Sequence, residues 1–136
     1  MNKKTLALTD DTFKTIIQKM REGFTYTAGG TEKVFKPNNR VATALILEAN
    51  LGIRIGDILH LKLSDIVRDG NRYRLDVVEQ KTGKKRTFTV PIEIYSYIQE
   101  YAYSNDIKPT ARLFDITDRA VQKQLKIVCD YLGLEG

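Results

Sequence analysis

The stretch LGIRIGDILHLKLSDIV at 51–67 decides how this chain is read. Gly52 interrupts an apolar run, Arg54 follows between Ile53 and Ile55, and Asp57 comes three positions later, on the same side of a short helix. The pattern predicts a helix over 53–61, with Ser64 and Asp65 supplying turn chemistry before the chain becomes extended. On spacing alone Arg54 and Asp57 read as a surface ion pair, worth about 0–1 kcal/mol. The sharper alternative is that Asp57 holds the guanidinium so that its fork faces a phosphate oxygen.

Downstream, 72–79 and 86–91 have strand character, with Asp69, Gly70 and Asn71 marking the turn before them. The strands are joined by QKTGKKR at 80–86, a basic hairpin tip centred on Thr82 and Gly83. Lys81 stands at that tip with Lys84, Lys85 and Arg86 close behind. A solvated turn is the plain reading. A mobile ammonium that neutralises phosphate and hands a proton to a leaving oxygen is the functional one.

Upstream, Thr9 can cap a helix that carries Asp10 and Asp11 in its first turn, buries Phe13, Ile16, Ile17 and Met20, and stops at Gly23. The segment 23–36 reads as a loop or weak hairpin around Gly29 and Gly30, leading to Pro37 at a helix start. Over 38–50 the apolar residues cover most of a helix circumference, so this element is expected to run through the core. Helices are predicted again over 92–104 and 117–132. Helices, a small antiparallel sheet or hairpin, then helices make an α+β, mainly helical domain.

The 136 residues suit one domain with a real core. Lysine and arginine number 22 against 17 aspartates and glutamates, a net charge of +5, which favours a polyanionic partner only mildly. The single cysteine, Cys129, falls on an apolar helix stripe, so no disulfide framework is expected and a reducing, cytoplasmic setting fits. No apolar stretch is long enough to cross a bilayer. One histidine, one cysteine and no clustered carboxylates speak against a metal site. His60, between apolar neighbours, reads as a partly buried structural histidine. Arg119, in the first turn of the last helix, reads either as an exposed arginine or as a major-groove contact. No GxSxG, P-loop or GxGxxG pattern occurs.

Three blocks, LGIRIGDILHLKLSDI, QKTGKKRTFTVP and LFDITDRAVQKQLK followed by YLGL, resemble the tyrosine recombinase, or phage-integrase, catalytic domain, in that family's order. The resemblance implies double-stranded DNA as partner, a tetramer assembled on DNA, a prokaryotic, phage or mobile-element origin, and no cofactor. It implies that Arg54 contacts the scissile phosphate with Asp57 in support, and that Lys81 is the general acid toward the leaving 5′ hydroxyl. Lys84, Lys85 and Arg86 would touch DNA backbone and Arg119 the major groove. In that family a tyrosine attacks the phosphate, assisted by a second arginine and a histidine from an HxxR box. Here the only histidine is followed three positions later by Leu63, and none of the seven tyrosines matches the nucleophile. The expectation is a single, incomplete catalytic domain over 1–136, without the family's core-binding domain, inactive alone and prone to self-associate through apolar surface near its last helix. A naturally short, non-catalytic DNA-binding module that modulates recombination is the alternative, and a protein-interaction fold that binds no DNA a third reading.

Overall fold

The computed structural model describes residues 10–134. The expected cap Thr9 lies outside them. In chain order the elements are α1 (Asp10–Glu22), β1 (Phe24–Ala28), β2 (Thr31–Phe35), α2 (Asn39–Leu51), α3 (Ile55–Ile58), β3 (Ile66–Asp69), β4 (Arg72–Val78), β5 (Lys85–Val90), α4 (Ile92–Ser104) and α5 (Asp118–Tyr131). This is the α+β, mainly helical architecture that the patterning predicts. The chain divides into two compact units, one comprising Met1–Thr43 and Arg119–Gly136, the other Ala44–Asp118.

In the first unit, α1 buries Ile16, Ile17 and Met20 while Phe13 is half-buried. The segment read as a loop or weak hairpin is a hairpin: β1 and β2 pair antiparallel from Phe24 opposite Phe35 to Ala28 opposite Thr31, joined by Gly29 and Gly30. The cap of α2 is Asn38 rather than a proline start, because its Oδ1 accepts the Val41 N–H at 3.1 Å and satisfies a donor that the first helical turn leaves free. From α5, this unit buries Val121, Val128 and Cys129.

The second unit packs a three-stranded antiparallel sheet, in the order β3, β4, β5, with α3, α4 and the connecting segments. Its core includes Leu47, Ile53, Ile58, Leu75, Val90, Ile98, Leu113 and Phe114. Two ring contacts fasten α4: Tyr95 stacks on Tyr73 of β4 at 3.9 Å, and Tyr101 meets Phe114 at 5.4 Å. The helix expected over 53–61 is a single turn. Two tighter turns follow, the His60 N–H donating to Asp57 O and the Leu61 N–H to Ile58 O, both at 3.1 Å, and the chain then pairs with the segment before α5: the Leu113 N–H donates to the Leu61 carbonyl at 2.8 Å and the Ser64 N–H to the Pro109 carbonyl at 2.9 Å. A 3₁₀ turn at Leu63–Asp65 follows, where the Asp65 carboxylate accepts the Lys62 N–H at 3.0 Å and steers the chain into β3.

Candidate nucleic-acid interface

Arg54 owes its position to its neighbours. Gly52 takes a positive φ of 67°, which ends α2 and turns the chain. Ile53 and Ile55 are both buried, so the residue between them is forced outward, and Arg54 is exposed at the N-terminal boundary of α3. Its carbonyl accepts the N–H groups of Asp57 and Ile58 at 2.9 and 3.0 Å, which fixes the backbone while leaving the guanidinium without an ion pair among the described residues. Behind it, the half-buried Glu48 of α2 accepts the Ile55 N–H, a second anchor on the same turn. Burial pushes the Glu48 carboxyl above the usual carboxylate range, against the lowering effect of that hydrogen bond and with help from the Asp118 charge.

Asp57 does something other than hold Arg54. Its side chain is only 5% exposed, and Oδ1 accepts the backbone N–H of Gln80 at 2.9 Å. No ion pair joins it to Arg54 among the described residues. The carboxylate on the arginine's turn therefore grips the hairpin one residue before Lys81.

The hairpin tip is built around a second buried carboxylate, that of Glu79, 7% exposed. Its Oε1 accepts the Thr82 hydroxyl at 2.7 Å and its Oε2 the Arg86 Nη1 at 3.2 Å. Backbone bonds from Gly83 N–H to Glu79 O and from Glu79 N–H to Lys84 O, both 2.8 Å, close the turn. The Thr82 hydroxyl and the Arg86 guanidinium hold the Glu79 carboxyl below its usual range, and the nearby Arg54 charge adds to the effect. Lys81 is thus pinned on both sides, at Gln80 by Asp57 and at Thr82 by Glu79. Its own ammonium is exposed and unpaired among the described residues.

The strand register separates the remaining cations. Arg86 lies opposite Val77, Phe88 opposite Leu75 and Val90 opposite Tyr73, all on the inner face of the sheet, whereas Lys85 lies opposite Val78 on the outer face. Lys85 and Arg86, grouped together on sequence, point to opposite sides. Arg86 is engaged by Glu79 and stands 4.8 Å from the Phe88 ring centroid, so its charge serves the hairpin. Lys84 and Lys85 are exposed without ion pairs among the described residues. On the outer sheet face Arg74 is paired with both Asp69 and Asp76, at 3.4 and 3.2 Å.

His60 is exposed, not partly buried. Leu59 and Leu61 go into the core and the residue between them faces out. Its Nδ1 lies 2.8 Å from the Gly56 carbonyl, which can only accept, so Nδ1 carries the proton and Nε2 is the acceptor of the neutral ring. Arg119 belongs to the other unit, where it is exposed on the first turn of α5. Cys129 is buried as expected, and burial pushes its thiol upward. Sequence reasoning gives Glu79 and Glu48 no role at the site and Thr82 only a place in the turn. Glu79 and Thr82 had a signal, an acidic residue at a strand end with a hydroxyl three positions on and a guanidinium seven on.

No protein-family model matches the sequence, and no curated protein does. The fold has counterparts among solved structures. One is the XerH site-specific recombinase bound to its difH substrate in a pre-cleavage complex, with a TM-score of 0.62, 16% identity, and coverage of 99% of this chain and 39% of that chain. Another is the same recombinase on a palindromic difH substrate in a post-cleavage complex, at 0.62 and 18% identity, covering 98% of this chain and 38% of that one. The chain thus spans just under two fifths of the length of each of these structures. At such identity the likeness is one of fold. Among the described residues no helix is long and apolar enough to cross a membrane, and no group of side chains could hold a metal ion.

Proposed function

We propose that this chain binds the backbone of double-stranded DNA through Arg54 and Lys81, and forms the phosphate-holding half of a tyrosine recombinase catalytic site. The observation that carries the reading is the hydrogen bond from the Gln80 N–H to Asp57. It ties the turn that bears Arg54 to the turn that bears Lys81, 27 residues later in sequence. The likeness in fold to a recombinase solved on DNA supports the same reading. In it, the Arg54 fork takes a phosphate oxygen bidentately and the Lys81 ammonium stands ready for a leaving oxygen. Asp57 and Glu79 position the two turns, Lys84 and Lys85 reach flanking phosphates, and Arg119 adds a contact from α5. Cleavage and rejoining require a nucleophile and a second arginine that these 136 residues do not supply in the family's pattern, so they hold DNA without cutting it.

Duplex binding followed by fluorescence anisotropy over about 50 to 200 mM salt tests this. Arg54→Ala and Lys81→Ala should each weaken binding roughly ten- to a hundredfold and each lower the log–log salt slope by about 0.9. Arg74→Ala, already neutralised on the outer sheet face, should change it less than threefold. Equal affinities for all three variants and the parent would overturn the assignment.

A further inference from the structure

The unit comprising Met1–Thr43 and Arg119–Gly136 carries a cleft that the duplex reading leaves unused. It has a volume of about 600 Å³ and is walled by Tyr26 and Thr27 of β1, Lys33 of β2, and Lys123, Ile127 and Tyr131 of α5. Tyr26 and Lys33 are direct cross-strand partners, so their side chains stand on one face of the hairpin. Lys123, Ile127 and Tyr131 recur every four residues along one face of α5, and Arg119 begins the same stripe.

The two tyrosines of the cleft wall belong to a run of ring contacts. Tyr131 stacks on Phe24 at 4.0 Å and 19°, and Phe24 stacks on Phe35 at 4.9 Å and 3°. Tyr26 meets Phe24 at 5.9 Å and 59°. Phe35 is the buried end of the run. Tyr131 is the open end, 43% exposed and in ring contact with Phe24 alone among the described residues. Lys33 and Lys123 have no ion pair among the described residues, while the one carboxylate of the cleft, Asp130, is engaged by Lys126 at 3.1 Å. A stacking platform bordered by two free cations suits a ligand that is planar in one part and anionic in another.

The geometry points to a nucleotide of a single-stranded nucleic acid, its base continuing the stack on Tyr131 and its phosphates meeting Lys33 and Lys123. In a duplex both faces of each base are covered by its neighbours, so an open tyrosine face favours a strand whose bases are free. The Arg119–Lys123 stripe gives the backbone a path along α5. The inference rests on this unit's own geometry and not on Arg54 or Lys81.

The test uses the full chain with a labelled oligothymidine, a GC-rich duplex and free thymidine monophosphate. Tyr131→Leu should weaken oligothymidine binding about five- to a hundredfold while Tyr131→Phe stays within about twofold, because the ring and not the hydroxyl makes the stack. Lys33→Gln combined with Lys123→Gln, both on the surface and outside the ring stack, should weaken it as well and lower the single-strand salt slope by about 1.4. Circular dichroism identifies any variant that fails to fold, and the lysine pair decides the matter if Tyr131→Leu is one. Failure of the parent to bind oligothymidine, a Tyr131→Leu affinity equal to the parent's, or a Phe variant as weak as the Leu variant would overturn the inference. So would thymidine monophosphate competing as well as the oligomer at equal nucleotide concentration, which would mark a free-nucleotide site. Duplex binding by Arg54→Ala and Lys81→Ala is measured in parallel, so the two sites can fail separately.

Discussion

Removing the Asp57 carboxylate should unfasten the hairpin that carries Lys81 while leaving Arg54 where it is. Asp57 is 5% exposed, and among the described residues its one side-chain hydrogen bond is from the Gln80 N–H, at 2.9 Å. A hydrogen bond to a charged group contributes about 1.5–3 kcal/mol. Gln80 is itself exposed and the bond is only part-buried, so no full penalty for a stranded donor is added. Asp57→Ala should therefore cost about 1.5–3 kcal/mol in urea unfolding. Asp57→Asn keeps an acceptor at Oδ1 but makes the bond neutral, and should cost about half as much. Hydrogen exchange gives the local readout: the Gln80 amide should lose protection in the alanine variant, with those of Gly83 and Glu79 less affected because their bonds lie within the turn. A stability cycle with Arg54→Ala should show coupling below about 0.5 kcal/mol, since no ion pair joins the two side chains. An Asp57→Ala variant as stable as the parent, or coupling to Arg54 above about 1 kcal/mol, would refute this account and restore Asp57 as the holder of the arginine.

The two carboxyls shifted in opposite directions should leave opposite marks on stability against pH. Glu79 is held low by Thr82 and Arg86, so its contribution is fully present above the ordinary value near 4.5 and lost as pH falls through its folded value; Glu79→Gln should flatten that acid limb of a urea-midpoint profile. Glu48 is pushed up by burial, so its contribution is greatest below about 4.5 and lost as pH rises through its folded value; Glu48→Gln, which can still accept from Ile55, should remove the decline. Gly23→Ala should cost about 2–4 kcal/mol in thermal or urea unfolding, because φ is +78° and a Cβ would stand 2.7 Å from the Phe35 carbonyl oxygen and 2.8 Å from Pro37 Cδ; Gly52→Ala, at φ +67° in open space, should cost about 1–2. A nicked suicide duplex incubated with this chain and run on a denaturing gel should show no covalent adduct, and an adduct band would show that the residues supply a nucleophile after all.

Much of this fold was legible because the helices advertise their periods. The predicted helix over 92–104 coincides with Ile92–Ser104, and 38–50 and 117–132 differ by one residue at each end from Asn39–Leu51 and Asp118–Tyr131. The error at 53–61 has a physical cause. Ile58, Leu59 and Leu61 are all buried, which apolar spacing alone reads as a helix face, whereas the chain buries them by turning and pairing with Leu113. That pairing is long-range, and no local signal reports it. The same turn put His60 outside. At the site, the exposed cations were readable as types, but their wiring was not: Asp57 sits three residues from Arg54 and bonds 23 residues away. Lys85 and Arg86 were read as one cluster because a sequence does not show on which side of a strand each falls until the register is known.

The wiring explains how the proposed anion site can be built from a chain with abundant carboxylates. A phosphate competes with every internal acid for the same guanidinium or ammonium, and an arginine already paired has less to offer it. Arg74, between Asp69 and Asp76, illustrates a cation spent in this way. Around Arg54 and Lys81 the acids have been given other work. Asp57 is occupied by a backbone N–H, Glu79 by a hydroxyl and by Arg86, and Glu48 by the Ile55 N–H. Each of these carboxylates braces a turn that bears Arg54 or Lys81 without forming an ion pair with it. In the proposed site such bracing would reduce the side-chain and loop ordering that binding requires, and neither Arg54 nor Lys81 has an ion pair among the described residues.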